Sequence, residues 1–336
     1  MHPGRYPLTR LRRTRRTPAL RALVAETRLQ PANLIWPVFL CEGEDREEPV
    51  PLLPGVVRHS VDRLPRLLEE AATLGIACVA LFPDTPADRR TPDGAEALNP
   101  DNLVCRALRA GRAAGTGVAL MADVALDPYT SHGHDGLLDE AGQVRNDETV
   151  DVLMRQAVVQ AEAGADILAP SDMMDGRIQA IRRALDAAGF GEAVVLSYAA
   201  KYASCFYGPF REAVGAKGLL KGDKRGYQMD PANVREAMAE MALDLAEGAD
   251  MLMVKPGLAY LDVLARAAAT MPCPVLAYCV SGEYAMIEAA AAAGMIAREE
   301  AVLEVLTAFR RAGAAAVLTY HAPLAARLLG AGAGRA

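Results

Sequence analysis

No stretch of this 336-residue chain approaches the ~18 to 20 uncharged apolar residues that a membrane-spanning helix needs. The opening segment, MHPGRYPLTRLRRTRRTP, lacks an apolar core and a small-residue cleavage site. It therefore does not read as a secretory signal, and a cytoplasmic location is expected. The six cysteines (Cys41, Cys78, Cys105, Cys205, Cys273 and Cys279) contain no C-x-x-C pair. Several sit inside apolar runs such as IACVALF, so they read as buried, reduced thiols and not as a zinc site. A formal charge of -6 argues against a general nucleic-acid binder. What is left, 52% hydrophobic and 23% charged, is the composition of a well-packed globular enzyme.

One stretch runs against the acidic balance. Arg5, Arg10, Arg12, Arg13, Arg15 and Arg16 crowd the N-terminus, with Tyr6 as the one aromatic among them. Without interleaved stacking aromatics, this reads as an extended arm, packed on a partner subunit or solvated, rather than as a nucleic-acid or lipid contact. The arm is assigned to residues 1–32 and a catalytic domain to 33–336.

The rest of the chain repeats one phrase: a helical Ala/Glu/Arg-rich run, a glycine, then a short apolar strand. It occurs as EEAATLGIACVALF (69–82), RAAGTGVALMADV (112–124) and QAEAGADILAP (160–170), then as DAAGFGEAVVLSY (186–198), LAEGADMLMV (245–254) and RRAGAAAVLTY (310–320). Glycine just past a helix supplies the left-handed conformation that turns the chain into the next strand. Continuously apolar strands are those covered on both faces, as in a parallel sheet. NLIWPVFL (33–40) and CPVLAYCV (273–280) complete a set of eight. No Gly-x-Gly-x-x-Gly turn follows the first strand, which weighs against an open doubly wound sheet. The expected fold is a (β/α)8 TIM barrel with an extended N-terminal arm.

Active sites of that fold lie at the C-terminal ends of the strands. Polar residues there are Asp123, then Ser171, Asp172 and Asp175, then Ser197, Tyr198 and Lys201, followed by Lys255, Ser281, Glu283 and Tyr320. Lys255 is the sharpest, because MLMV delivers it to the barrel mouth, where desolvation disfavours an ammonium. A solvated lysine, with a pKa of about 10.4, is a poor nucleophile at neutral pH; an unprotonated amine attacks a ketone and forms an imine. Lys201 stands after the neighbouring strand, and adjacent strands lie about 4.8 Å apart, so each ammonium would depress the other's pKa. The residues alone thus point to a Schiff-base enzyme of no particular substrate. A class I aldolase-type lyase and a catalytically silent oligomeric barrel both stay open at this stage.

Longer motifs narrow the choice. MVKPGLAYLD (253–262) with VSGEYAMI (280–287) resembles the Schiff-base region of the porphobilinogen synthases (5-aminolevulinate dehydratases), and SYAAKYASCFYGPFREA (197–213) resembles their second lysine segment. MADVALDPYTSHGHDG (121–136) is similar to their metal-or-aspartate loop, APSDMMDGRIQAIRRAL (169–185) to their fourth-strand loop and KGDKRGYQMDPAN (221–233) to their mobile lid. The resemblance implies condensation of two 5-aminolevulinate molecules to porphobilinogen with loss of two waters, for tetrapyrrole (heme) synthesis. It also implies a homo-oligomer, commonly an octamer. Lys255 would bind the propionate-side substrate and Lys201 the acetate-side one. Ser281 and Tyr320 would hold the first carboxylate; Arg211, Lys224 and Gln228 would clamp the second as the lid closes. Lys224 stands where some members have arginine, so a point charge replaces a bidentate contact. Asp123 and Ser171 would line the shared pocket, Asp123 as a proton-transfer group.

Zinc-dependent members carry three cysteines where this chain has Ala125, Asp127 and Asp135. Carboxylates suit magnesium or water-mediated contacts, and alanine binds nothing, so no catalytic zinc is expected. Asp127 and Asp135 are left to position the substrate amino group or to hold a weakly bound cation, and His132 and His134 to shape their loop. Glu240 matches the position where many bacterial members bind an allosteric Mg²⁺, an ion that keeps several waters and needs few carboxylates. Cys279 departs from the glutamine or histidine common in relatives.

Overall fold

Each repeated phrase becomes one helix, one turn and one strand of a closed sheet. The structure, a computed structural model, describes residues 4–215, 218–220 and 222–333. Its strands are β1 (Leu34–Cys41), β2 (Glu47–Pro49), β3 (Val57–Ser60), β4 (Cys78–Pro83) and β5 (Ala119–Val124), then β6 (Ile167–Pro170), β7 (Val194–Lys201), β8 (Met251–Lys255), β9 (Val275–Cys279) and β10 (Val317–Thr319). All but β2 and β3 form a parallel ring in the order β1-β4-β5-β6-β7-β8-β9-β10, which closes where Leu34 and Ile35 pair with Val317 and Leu318. This is the expected (β/α)8 barrel. Gly75 and Gly115, at φ 73° and 63°, end the helices before β4 and β5 in the left-handed conformation.

The helices are α1 (Pro18–Leu23), α2 (Leu64–Leu74), α3 (Leu103–Ala114), α4 (Asn146–Ala163), α5 (Arg177–Ala187) and α6 (Gly208–Ala213), then α7 (Arg235–Ala246), α8 (Leu261–Thr270), α9 (Ser281–Ala292), α10 (Arg298–Arg311) and α11 (Ala322–Ala333). None is long and apolar enough to cross a membrane, among the described residues. The N-terminal segment carries α1 and the 3-10 helix Leu11–Arg15, neither with a buried residue. Tyr6, Leu8, Leu11 and Leu23 stand exposed along it. Met1, His2 and Pro3 of the assigned arm lie outside the described residues.

Strand alternation divides the apolar residues into two cores. Ile35, Phe39, Ala80, Phe82, Met121, Leu196, Met253 and Leu276 fill the barrel. Leu34, Val38, Leu40, Val79, Leu81, Leu120 and Leu252 face the helices. Two polar residues expected at the site fall on the outer side. Ser197 donates to Asp244 of α7 at 2.5 Å, and Asp172 pairs with Arg177 at 3.5 Å, while Arg177 also reaches Asp244. All four are buried, so Asp172 and Ser197 bolt strands to helices instead of facing the mouth.

Two further corrections concern short elements and thiols. β3 pairs with β1 at Phe39–Cys41, beyond the point where β10 has ended, and β2 returns antiparallel to it. Neither strand has the apolar run that marks the others, and the repeat gives no sign of them. Cys41, Cys78, Cys105 and Cys279 are buried thiols as expected, but Cys205 is exposed and Cys273 half-buried.

Candidate active site

Two neighbouring strands bring the candidate lysines together. β7 and β8 pair so that Lys201 lies directly beside Lys255. On β8 the inward residues alternate regularly, Met251, Met253, Lys255. On β7 they do not: Leu196 and Tyr198 face inward, while Ala199 and Ala200 both pack on the helix side. The register slips by one residue between Ser197 and Ala200, a bulge in β7. That extra residue turns Lys201 back toward the mouth; a regular strand would have aimed it at the helices.

Lys255 is buried, and its ammonium nitrogen lies 4.8–5.5 Å from the ring centres of Tyr278, Tyr198, Phe210 and Tyr207. Aromatic faces favour a cation by about 0.5–2 kcal/mol each. Burial outweighs them, and with the neighbouring Lys201 charge it brings the Lys255 pKa down to about 7. Among the described residues no carboxylate pairs with it. A neutral fraction of this amine is therefore available near physiological pH to attack a carbonyl.

Lys201 has the opposite surroundings. Its ammonium donates to Asp135 Oδ1 at 3.1 Å and to the Ser171 carbonyl. Asp135 is fully buried and also takes Lys224 Nζ at 2.6 Å and the Tyr227 hydroxyl at 2.9 Å on Oδ2. Burial alone would raise its pKa, but Lys201 and Lys224 hold the carboxyl well below its ordinary value. Lys224 also donates to Asp127 at 3.3 Å. Asp123 points inward from β5 with its Oδ1 buried and, among the described residues, unpartnered. Burial lifts its pKa to about 6, against the pull of Lys255 and a Ser171 hydrogen bond. A carboxyl poised there, beside an amine poised at about 7, suits proton transfer at neutral pH.

The sequence model described as delta-aminolevulinic acid dehydratase matches residues 8–328. The chain belongs to the delta-aminolevulinic acid dehydratase family. It is similar to the delta-aminolevulinic acid dehydratase of Bradyrhizobium diazoefficiens, 55% identical over 95% of this chain and 90% of that one. It is also similar to that of Rhodobacter capsulatus, 50% identical over 97% of this chain and 98% of the other. Among solved structures, the Toxoplasma gondii delta-aminolevulinic acid dehydratase (porphobilinogen synthase) in complex with its reaction product porphobilinogen superimposes with a TM-score of 0.93. It is 50% identical, covering 95% of this chain and 91% of that one.

The other residues expected in a delta-aminolevulinic acid dehydratase site are placed as follows. Arg211 lies half-buried on α6 with no ion pair among the described residues, leaving a cation for an anionic ligand. Gln228 is buried and borders a rim cavity of about 590 Å³ that also reaches Tyr227, Asp175 and Glu240. Lys221, at the start of the lid motif, lies outside the described residues. Ser281 already holds protein: its hydroxyl accepts from Phe210 N at 2.9 Å and donates to Phe206 O at 3.3 Å. Tyr320 shares a 3.0 Å hydrogen bond with Tyr278. His132 Nε2 contacts the Pro92 carbonyl at 3.1 Å and its Nδ1 accepts from His134 N at 3.2 Å, which shapes the aspartate loop.

Several participants carry no role in the sequence reading. Tyr207, Phe210 and Tyr278 wall Lys255; Tyr278 follows Leu276 by two on β9, and strand alternation alone would have aimed it inward. Tyr227 braces Asp135. Glu283 accepts from Leu258 N, Ala259 N and Val280 N at 2.8, 3.2 and 2.9 Å, tying the loop after Lys255 to the start of α9. Burial raises its pKa to about 7 despite those donors.

Proposed function

We propose that this chain condenses two 5-aminolevulinate molecules asymmetrically to porphobilinogen, with one substrate held as an imine on Lys255 and the other on Lys201. The direct pairing of Lys201 with Lys255 at the barrel mouth carries this reading. Each lysine adds to a substrate ketone as its free amine, Lys201 after passing its ammonium proton to Asp123, and the resulting carbinolamine loses water to leave a C=N bond. The two imines are electron sinks for the C–C and C–N bond-forming steps, and the bound substrates return both lysines as the ring closes. Asp123, balanced near its own pKa, moves protons between these steps. Its Oδ1 and the Tyr198 hydroxyl, both buried and without a hydrogen-bond partner among the described residues, are polar groups for substrate to satisfy. Arg211, Lys224 and Gln228 clamp the acetate-side carboxylate. Ser281 and Tyr320 serve the propionate side, Ser281 by exchanging its contacts with the Phe206 and Phe210 backbone. An aldolase-type reading needs one imine lysine and leaves Lys201 without a task. Borohydride reduction in the presence of 5-aminolevulinate, followed by peptide mapping, is expected to label both lysines. Label on neither ends the proposal.

The positions that hold cysteines in zinc-dependent members do not suit zinc here. Ala125 offers no donor, and Asp127 and Asp135 face ammonium groups. Asp135 serves instead as the counter-ion of Lys201. Glu240 is a different case. It is half-buried, and burial together with Asp244, Asp175 and Glu236 raises its pKa, with Arg177 as the opposing charge. Among the described residues no group of three ligands surrounds it. A lone carboxylate in an acidic setting fits Mg²⁺ that keeps most of its waters, bound away from the lysines as an allosteric ion. Exhaustive chelation is expected to lower activity, with Mg²⁺ and not Zn²⁺ restoring it. Recovery confined to Zn²⁺, or no loss at all, removes this assignment. The exposed apolar residues of the basic arm support a homo-oligomer, an octamer by the family pattern.

A further inference from the structure

The last carbonyls of a helix have no intrahelical partner, and α6 is too short to tolerate their neglect. Here four consecutive carbonyls at its end are taken by two arginines from elsewhere in the barrel. Arg58 of β3 donates to the carbonyls of Glu212 at 2.5 Å and Ala213 at 2.7 Å. Arg90, in the loop after β4, donates to those of Val214 at 3.0 Å and Gly215 at 2.9 Å. Asp84, at the end of β4, joins them, with Oδ2 3.1 Å from Arg58 and Oδ1 3.2 Å from Arg90. Arg90 is further fixed by Thr85 O at 2.8 Å. The arginine side chains keep 13% and 5% of their exposure, so these charge-assisted bonds escape most of the screening that weakens surface pairs.

The fit is close. Gly215 sits at φ +62°, and a Cβ there would meet Asp84 Oδ1 at 2.1 Å and Arg90 Nη2 at 2.8 Å. The other end of α6 is held by the Ser281 hydroxyl on Phe210 N. Between the two anchors stand Phe210, whose ring lies 5.2 Å from Lys255 Nζ, and Arg211. The clasp also gives a reason for the β2–β3 pair. β1 outruns β10, β3 fills the vacated edge, and β3 carries Arg58 across to α6.

We infer that Arg58, Asp84 and Arg90 form a positioning clasp that sets α6, and through it presents Arg211 to the carboxylate of the substrate. This rests on the proposed role of Arg211. None of the three touches the lysines, so their loss should spare imine chemistry and weaken substrate capture. Asp84→Asn leaves two arginines without their shared carboxylate. Arg90→Lys keeps the charge and removes the two-carbonyl fork.

The test is steady-state kinetics with 5-aminolevulinate, with borohydride labelling of Lys255 run alongside as a check on the barrel mouth. Both variants are expected to raise KM by about 5- to 20-fold with kcat within about 2-fold, and to keep the label. Added to Arg211→Ala, either substitution should cost little more, because the clasp acts through that residue. Unchanged KM in both variants, effects that multiply with Arg211→Ala, or loss of the Lys255 label each overturn the inference. Normal KM in Arg211→Ala itself defeats the carboxylate role and the clasp with it. A defective Arg211→Ala beside normal clasp variants defeats the clasp alone.

Discussion

Replacing Lys255 by methionine is expected to cut turnover by about 10⁴-fold or more while making the protein more resistant to heat. Both effects come from one cause. Burial, with the Lys201 charge second, lowers the Lys255 pKa from 10.5 to about 7. Between those values the unfolded chain binds a proton that the folded one does not, so this group's contribution to stability improves as pH rises through the window. Below pH 7 the folded protein carries the whole penalty of a buried ammonium. Methionine fills a similar volume without that charge, and the rings of Tyr198, Tyr207, Phe210 and Tyr278 receive its sulfur favourably. Scanning calorimetry at pH 6 should show a Tm higher by about 2 °C or more, and the advantage should shrink toward pH 10. A Tm below the parent's at pH 6 contradicts the burial account. Removing the second positive charge, as in Lys201→Ala, should raise the pKa of Lys255. Imine trapping at Lys255 should then begin at higher pH than in the parent, and an unmoved onset means that Lys201 does not tune it.

Much of this architecture is legible in the residues because it is local. Each barrel strand is an apolar run closed by a glycine-capped helix, and on regular β8 the run Met251, Met253, Lys255 aims the last residue inward. Lys201 is another matter. Counting by twos from Tyr198 sends it outward, and the one-residue slip that returns it to the mouth leaves no mark in SYAAK. The outward turns of Ser197 and Asp172 are hidden for the same reason: polar residues at a strand end look alike until the partner, here Arg177 or Asp244, is placed beside them. The ring cage of Lys255 gathers side chains from β7, α6 and β9, which no single segment contains. β3 leaves no apolar signal, because VRHS is polar. Its pairing depends on β1 extending past β10, a relation of lengths across the closed sheet.

Asp135→Asn is expected to destabilise the folded protein by about 3–5 kcal/mol at pH 7, since it leaves the buried Lys201 ammonium without a charged partner. The two lysines will not suffer equally. Lys224 keeps Asp127 at 3.3 Å, whereas Lys201 retains only the Ser171 carbonyl, which carries no charge. Lys201 should therefore lose its fixed position. Borohydride labelling should fall there while Lys255 still labels, with turnover down by about 10²-fold or more. The pH dependence separates this account from a simple packing defect. Asp135 is held below the ordinary carboxyl value of 3.8 by Lys201 and Lys224, which overcome the effect of burial. Its stabilisation is complete above that value and is lost as pH falls through the lower native one. Urea unfolding should thus show a constant gap between parent and Asp135→Asn from pH 7 to about pH 4, closing at more acid pH. A packing defect gives the same gap at every pH. A variant as stable as the parent at pH 7 means that the carboxylate is not the counter-ion on which Lys201 depends.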